Sequence, residues 1–289
     1  MTYSTLVTTD DLARHMGDPD WVVADCRYDP KRPGQGHYAY HHGHIPKACY
    51  VHLDGHLSAP MLGPNGRHPL PAPEGFSARL GELGICDKTQ VVAYDDAGGP
   101  YAARLWWMLR WIGHRNVAVL NGGWQRWLAE GREVRAGVEP RAAKAPHPLR
   151  PDENAVVDSA YLEQHLGQLA IIDARHPDRM RGMGEDQDPI GGHIPKAINR
   201  YFRQNLDPGG SFQSAENLSK DFAALISDHA VASVVHYCGS GVTACHNLLA
   251  MEVAGLRGSK LYPGSWSEWC SDPQRPMMHY NRIKTDGNR

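Results

Sequence analysis

The sequence of 289 residues predicts an α/β protein made of two tandem copies of one domain, each a central parallel sheet flanked by helices. Three observations carry this reading. First, Gly43-His-Ile-Pro-Lys-Ala48 recurs letter for letter as Gly192-His-Ile-Pro-Lys-Ala197. Asp25-Cys-Arg27 matches Asp173-Ala-Arg175, Val91-Val-Ala-Tyr94 matches Val234-Val-His-Tyr237, and Gly122-Gly-Trp124 with Trp127 matches Gly264-Ser-Trp266 with Trp269. Four blocks in one order, at offsets drifting from 149 to 142 residues, mean an internal duplication with small insertions and deletions. Second, short apolar runs alternate with helical patterns in both halves, as in a parallel sheet covered on both faces. Third, residues 131–156 carry Pro140, Pro146, Pro148 and Pro151 with little periodicity and read as the connection. The domains are placed at 1–139 and 156–289 with a linker at 140–155, each domain large enough to bury a core of its own.

The elements follow in order. Thr8 or Thr9 before Asp10 and Asp11 starts a helix over Asp10–Met16, and Trp21–Ala24 is the first strand. Pro73-Glu74 opens a helix whose pattern runs over Phe76–Leu83. Gln90–Tyr94 and Val117–Leu120 read as buried strands, separated by a helix at Ala102–Trp111 and followed by one at Trp124–Glu130. The second half repeats the alternation. Strands are expected at Ile171–Ile172, Val231–Tyr237 and Lys260–Tyr262, and helices at Ser159–His165, Ala215–Ile226 and Thr243–Ala254.

Composition excludes several classes. A net charge of −2 with a pI near 6.8 gives no reason to expect nucleic acid or an anionic membrane as partner. No apolar run approaches the ~18 residues of a membrane span. The opening residues lack a basic region followed by an apolar stretch, so no signal peptide is expected. Cys26, Cys49, Cys86, Cys238, Cys245 and Cys270 are scattered like reduced thiols, and the cytoplasm is the expected location. His41, His42, His44, His52 and His56 match no standard zinc spacing, so no metal is expected.

The chemistry points to one loop. The apolar run Val234-Val-His-Tyr237 stops at Cys238, and Gly239-Ser-Gly-Val-Thr243 leads into a helical pattern. A thiol is thus set at the carboxyl end of a buried strand beneath the amino end of a helix. The unpaired N–H groups and the helix dipole there favour a thiolate. Gly239 and Gly241 allow a tight bend that converges those N–H groups on one anion. The duplication supplies an internal control: features in both copies are structural, and features in one copy are candidates for chemistry. Asp25, Arg27, Asp173, Arg175, His44 and His193 occur in both. Cys238 does not, because the first copy reads Asp95-Asp-Ala-Gly-Gly-Pro100 at that point.

The duplicated arrangement, the paired Gly-His-Ile-Pro motifs and the Cys238-Gly-Ser-Gly-Val-Thr-Ala244 loop resemble the tandem-domain rhodanese sulfurtransferases, over roughly Leu6 to Trp269. Within them the loop is similar to that of 3-mercaptopyruvate sulfurtransferases. Thiosulfate-preferring members more often carry basic residues just after the cysteine. The resemblance implies two rhodanese-like domains and transfer of sulfane sulfur from a small anionic donor, through a persulfide on Cys238, to cyanide or a thiol. It implies no cofactor. It implies that Ser240 acts on the donor's carbonyl or enolate, that Gly239, Gly241, Val242 and Thr243 line the substrate, and that Arg179 binds its anionic group. Thr243 is otherwise expected as a helix cap, Cys245 as core, and His44 as structural or as a proton relay facing the cleft. A second substrate arginine is expected just before the second Gly-His, where this chain reads Glu185-Asp-Gln-Asp-Pro189. That departure sets thiosulfate beside 3-mercaptopyruvate as donor. Two other readings compete. A phosphatase would need Cys-x5-Arg, but position 244 is Ala. A non-enzymatic sulfur-carrier or regulatory module fits the first copy, which lacks the cysteine, and not the second. The oligomeric state is not encoded in any of these patterns.

Overall fold

The computed structural model describes residues 2–184 and 187–278. The first sheet contains β1 (Leu6–Val7), β2 (Trp21–Asp25), β3 (Ala48–Tyr50), β4 (Gln90–Tyr94) and β5 (Val117–Leu120), in the order β1-β5-β4-β2-β3 and parallel throughout. The second contains β6 (Ala170–Asp173), β7 (Ile198–Asn199), β8 (Val234–Tyr237) and β9 (Lys260–Leu261), in the order β7-β6-β8-β9, again parallel. β4-β2-β3 and β8-β6-β7 are therefore the same three strands in the two copies. Val156 bridges Leu261 in parallel, a remnant of the β1–β5 pairing.

The repeated residues do the same structural work twice. Arg27 grips Asp25 through Nε at 3.0 Å to both carboxylate oxygens, and its Nη2 donates to the Gly43 carbonyl at 2.6 Å. Arg175 repeats this with Asp173 at 3.1 and 3.0 Å and with Gly192 at 2.7 Å. Each guanidinium lies over a tryptophan, Trp124 or Trp266. All four charged residues are buried, so the fork geometry and the extra carbonyl are what make burial tolerable. Lys47 and Lys196 in the Gly-His-Ile-Pro-Lys turns share a left-handed φ, 62° and 64°. The assignment of these motifs to architecture holds.

Most expected elements stand. The strands at Gln90–Tyr94 and Val117–Leu120 and the helix at Ala215–Ile226 have the expected ends. Val231–Ser233 is a 3-10 turn that precedes β8. The linker is pinned to the first domain, with Lys144 N–H donating to Gly81 O at 2.9 Å and Arg150 N–H to Ile112 O at 3.0 Å. The two domains meet through the helices Pro100–Trp111 and Ala244–Val253, which pack on each other. Trp106, Leu109, Leu248 and Leu249 join one core that runs through both domains.

Candidate active site

In both copies the central strand ends one residue before the position that the duplication singles out, and a glycine turn then leads into the interface helix. The first copy shows what this turn is built to hold. Oδ1 of Asp95 accepts from the N–H groups of Ala97 and Gly99 at 2.9 and 2.8 Å, and Oδ2 from those of Tyr101 and Ala102 at 2.9 and 3.0 Å. The turn is an anion nest closed by its own carboxylate. Burial nevertheless outweighs these donors and pushes the Asp95 carboxyl up to about 6.

In the second copy Cys238 takes that place, buried at the end of β8. Its N–H donates to Ser265 Oγ at 3.1 Å and its carbonyl accepts from Trp266 N–H at 3.0 Å. Gly241 sits at φ 76°, where a side chain would be strained and would strike the Pro263 carbonyl. Gly239 has no positive φ. It is glycine for space, since a Cβ there would stand 2.7 Å from Arg67 Nη2. Thr243 occupies the N-cap position of the helix, but its backbone is already helical (φ −68°, ψ −18°) and its side chain makes no capping hydrogen bond. The capping role expected for it is therefore wrong; its side chain lines the cleft. Cys245 is fully buried, donates to the Gly241 carbonyl at 3.3 Å, and is pushed up to about 12 by burial, which keeps it an inert thiol.

Cys238, Gly239, Ser240, Val242 and Thr243 open onto a cavity of about 240 Å³ between the domains, roomy enough for a three-carbon acid. Arg179 lines the same wall, as expected. The first domain contributes Tyr28, Leu53, Arg67, His68 and Tyr101, none of which was singled out in the sequence. His68 Nδ1 lies 2.7 Å from Ser240 Oγ, and its Nε2 lies 3.3 Å from Asp54 Oδ1. Tyr28 OH donates to Asp54 Oδ2 at 2.8 Å. The hydrogen bond from His68, helped by that from Tyr28, holds the Asp54 carboxyl below the usual range. With an ionised Asp54 beside Nε2, the ring proton belongs on Nε2, and Nδ1 accepts from the Ser240 hydroxyl. The result is a Ser–His–Asp relay whose serine comes from one domain and whose other two members come from the other.

His44 is not part of this relay. It is fully buried, stacks on Tyr40 and pairs through Nδ1 with the Tyr40 carbonyl at 2.8 Å. Of the two roles expected for it, the structural one holds, and the relay place in the cleft belongs to His68. The internal control contained the signal: Arg67-His68 has no counterpart in the matching loop of the second copy, 206–214, which holds neither Arg nor His. Of the segment expected to hold a second arginine, Glu185 and Asp186 lie outside the described residues. Gln187 lines the cleft and Asp188 is buried. Among the described residues no cluster of three or more His, Cys, Asp or Glu is arranged to hold a metal.

Comparison with known proteins agrees with this geometry. The rhodanese-like domain family matches twice, over residues 8–130 and 158–272. A probable 3-mercaptopyruvate sulfurtransferase of Pseudomonas aeruginosa is 43% identical over 281 residues, 96% of this chain and 99% of that protein. The thiosulfate sulfurtransferase of Bos taurus is 38% identical over 92% of each chain. Among solved structures, 3-mercaptopyruvate sulfurtransferase from Leishmania major superposes with a TM-score of 0.81 at 30% identity, covering 92% of this chain and 74% of that one. SseA from Escherichia coli superposes with 0.78 at 29% identity, covering 91% and 99%. The chain belongs to the rhodanese family as a two-domain member, and it is a sulfurtransferase.

Proposed function

We propose that the protein transfers sulfur from 3-mercaptopyruvate, through a persulfide on Cys238, to cyanide or a thiol acceptor. The observation that carries the choice of donor is the Ser240–His68–Asp54 relay beside the nucleophile. The Cys238 thiolate attacks the donor sulfur, the carbon–sulfur bond breaks, and its electron pair leaves as the enolate of pyruvate. In net terms the donor's sulfur loses a proton and its methylene carbon gains one, leaving a persulfide anion and pyruvate. Such a reaction needs a proton carried over a short path, and a serine hydroxyl coupled to a histidine does this. Thiosulfate needs no proton, because sulfite leaves as a stable dianion.

The persulfide is held by loop N–H groups equivalent to those that hold Asp95, and Gly239, Gly241, Val242 and Thr243 shape that cradle. Arg179 binds the donor's carboxylate. A second reading, thiosulfate as the main donor, is supported by the 38% identical bovine relative of that name. The structural division lies at the pinned linker, with the nucleophile in 156–289 and 1–139 completing the site across 140–155. Six free cysteines, five of them buried, suit a reducing cytoplasm.

The test compares kcat/KM for 3-mercaptopyruvate and thiosulfate with one acceptor, with intact-protein mass read after donor treatment. Wild type gains one sulfur and Cys238→Ser gains none, and 3-mercaptopyruvate is the faster donor. Sulfur retained by Cys238→Ser, or thiosulfate as the faster donor, overturns the assignment it bears on.

A further inference from the structure

Arg104 stands apart from the other buried arginines. Arg27 and Arg175 are neutralised by Asp25 and Asp173. Arg104 is fully buried on the helix Pro100–Trp111, and among the described residues no carboxylate pairs with it. It does not line the cavity. Its guanidinium donates to the carbonyls of Gly241, Leu57 and His68, at 3.1, 3.2 and 3.1 Å. A buried cation is costly unless an anion answers it. The groups whose negative charge would offset the burial of Arg104 are the thiols of Cys245 and Cys238. Cys245, pushed up to about 12, keeps its proton, which leaves Cys238.

The contact with Gly241 has a direction. The C=O and N–H of a trans peptide point opposite ways, so a guanidinium on the Gly241 carbonyl stands behind the N–H of Val242. At the offset that sets Cys238 against Asp95, Val242 corresponds to Gly99, whose N–H donates to Asp95 Oδ1 at 2.8 Å. The 241–242 peptide therefore turns its inner face to the sulfur and its outer face to the cation. In the first copy the same peptide is backed by a neutral group. His246 Nε2 lies 3.0 Å from Gly98 O, its Nδ1 lies 3.1 Å from Asn205 Nδ2, and burial pushes the ring down to about 3. With that neutral backing, burial still pushes the enclosed Asp95 carboxyl up to about 6.

We propose that Arg104 is a positioning residue for the sulfur transfer, acting on Cys238 through the Gly241–Val242 peptide. Its charge on the outer face of that peptide strengthens the N–H group on the inner face. The anion formed on Cys238 in turn supplies the counter-charge that the buried guanidinium lacks. This rests on the persulfide proposed for Cys238. The difference between the copies follows from what each nest holds. The first encloses a carboxyl group built into the chain and works with a neutral imidazole behind it. The second must favour an anion that comes and goes, and it has a permanent cation behind it.

The experiment takes two readings on the full chain, for wild type, Arg104→Gln and Arg104→Lys. The first is the rate at which iodoacetamide alkylates Cys238 at neutral pH, followed on the peptide that carries it; no donor is needed. An opposite charge beside an ionising group favours its anion by about tenfold to a thousandfold, and one acting through a peptide belongs at the low end. Arg104→Gln should therefore react about tenfold more slowly, and Arg104→Lys, which keeps the charge, within about threefold of wild type. The second reading is the change in melting temperature when Cys238 takes up sulfur from 3-mercaptopyruvate or thiosulfate. Tenfold coupling between Arg104 and the anion corresponds to about 2–4 °C. Loading should raise wild type by that amount and Arg104→Gln by less than about half of it. A brace would lower the free and loaded forms alike and leave the difference unchanged. Alkylation of Arg104→Gln within about twofold of wild type, or a loading shift as large as in wild type, overturns the proposal. Equal losses in the lysine and glutamine variants overturn it too. If Arg104→Gln does not fold, the wild-type loading shift decides, and a shift of zero or below overturns the proposal. Failure of wild type to take up sulfur from either donor is a separate result: it removes the proposed function, and the alkylation rates alone then decide whether Arg104 favours the anion.

Discussion

The relay makes its strongest prediction for His68→Gln. Glutamine keeps a polar side chain of similar reach, but it cannot accept a proton from Ser240 and pass one on. His68 meets Ser240 Oγ at 2.7 Å, so the full effect of a positioned acid–base group is at stake. Such groups contribute about 10²- to 10⁴-fold, or roughly 3–5 kcal/mol of barrier. The expected loss in kcat for 3-mercaptopyruvate falls in that range, toward its lower end because water can enter a cleft where His68 keeps 15% of its side chain exposed. Ser240→Ala should lose a similar amount. The double variant should lose little more than either single one, because the two groups act as a unit. The assay is pyruvate release from 3-mercaptopyruvate beside sulfite release from thiosulfate, with the same enzyme preparations and the same acceptor. Thiosulfate turnover should stay within about threefold of wild type in all three variants, since that transfer moves no proton. Equal losses with both donors would refute the relay, as would losses that multiply in the double variant. In either case His68 would be a structural support for the catalytic loop.

Other variants test the frame around the site. Asp95→Ala leaves four N–H groups without their acceptor, those of Gly99 and Ala102 buried and those of Ala97 and Tyr101 half-buried, and should destabilise the protein by roughly 3–5 kcal/mol in urea unfolding, at about 1–3 kcal/mol for each unsatisfied buried group. Asp95 also sets a pH dependence. Its folded value of about 6 lies above the ordinary 3.8, so its contribution to stability is complete below pH 3.8 and is lost as pH rises through about 6. The stability margin of wild type over Asp95→Asn should therefore narrow between pH 4 and pH 7, and a margin that widens would reverse the sign assigned to burial. Asp95→Cys should accept no sulfur in a Cys238→Ser background, by intact mass, because Cys238 lines the cleft between the domains and position 95 does not. Arg104 is fully buried and donates to the carbonyls of Gly241 at 3.1 Å, Leu57 at 3.2 Å and His68 at 3.1 Å, tying the relay to the catalytic loop. Arg104→Met strands three acceptors and should lower both the melting temperature and kcat, the latter by more than about tenfold. Normal kcat in a destabilised Arg104→Met would limit its role to stability.

The sequence carried the fold well where elements were long or repeated. β4 and β5 are fully buried runs with clear ends, and the Asp–Arg and Gly-His-Ile-Pro blocks declared themselves by occurring twice. β1 and β7 have two residues each and β3 has three, too few for a period to show, so they depend on neighbours that only tertiary structure supplies. The candidate nucleophile was legible because its strand, turn and helix are contiguous. Its relay was not, because His68 and Ser240 are 172 residues apart and meet only when the domains dock. Of the two roles open to His44, the structural one follows from its local contacts. His44 stands in a polar-looking run, but the turn that follows folds it against Tyr40 and away from solvent.

The two copies also explain how one turn came to serve two purposes. Gly98 and Gly241 are equivalent, with φ of 94° and 76°, and each presents its carbonyl to the opposite domain. Arg104 from the first interface helix reaches Gly241 O at 3.1 Å, and His246 Nε2 from the second lies 3.0 Å from Gly98 O. Each helix thus anchors the other copy's nest, and neither nest is held open by its own domain alone. What fills them differs. In aspartate, Cγ and a terminal oxygen follow Cβ; in a cysteine persulfide, two sulfurs follow it in the same sequence of bonds. The Asp95 carboxylate therefore occupies its nest much as the persulfide anion of Cys238 would occupy the other, with negative charge on the outermost atom facing backbone N–H groups. A built-in carboxyl group makes the first nest a strut that needs no substrate, which frees the loop at Arg67-His68 and the helix at Arg104 to face across the interface. In the proposed reaction the second nest would bind its anion only after the donor arrives, and two members of the relay, His68 and Asp54, come from the copy that lacks the cysteine.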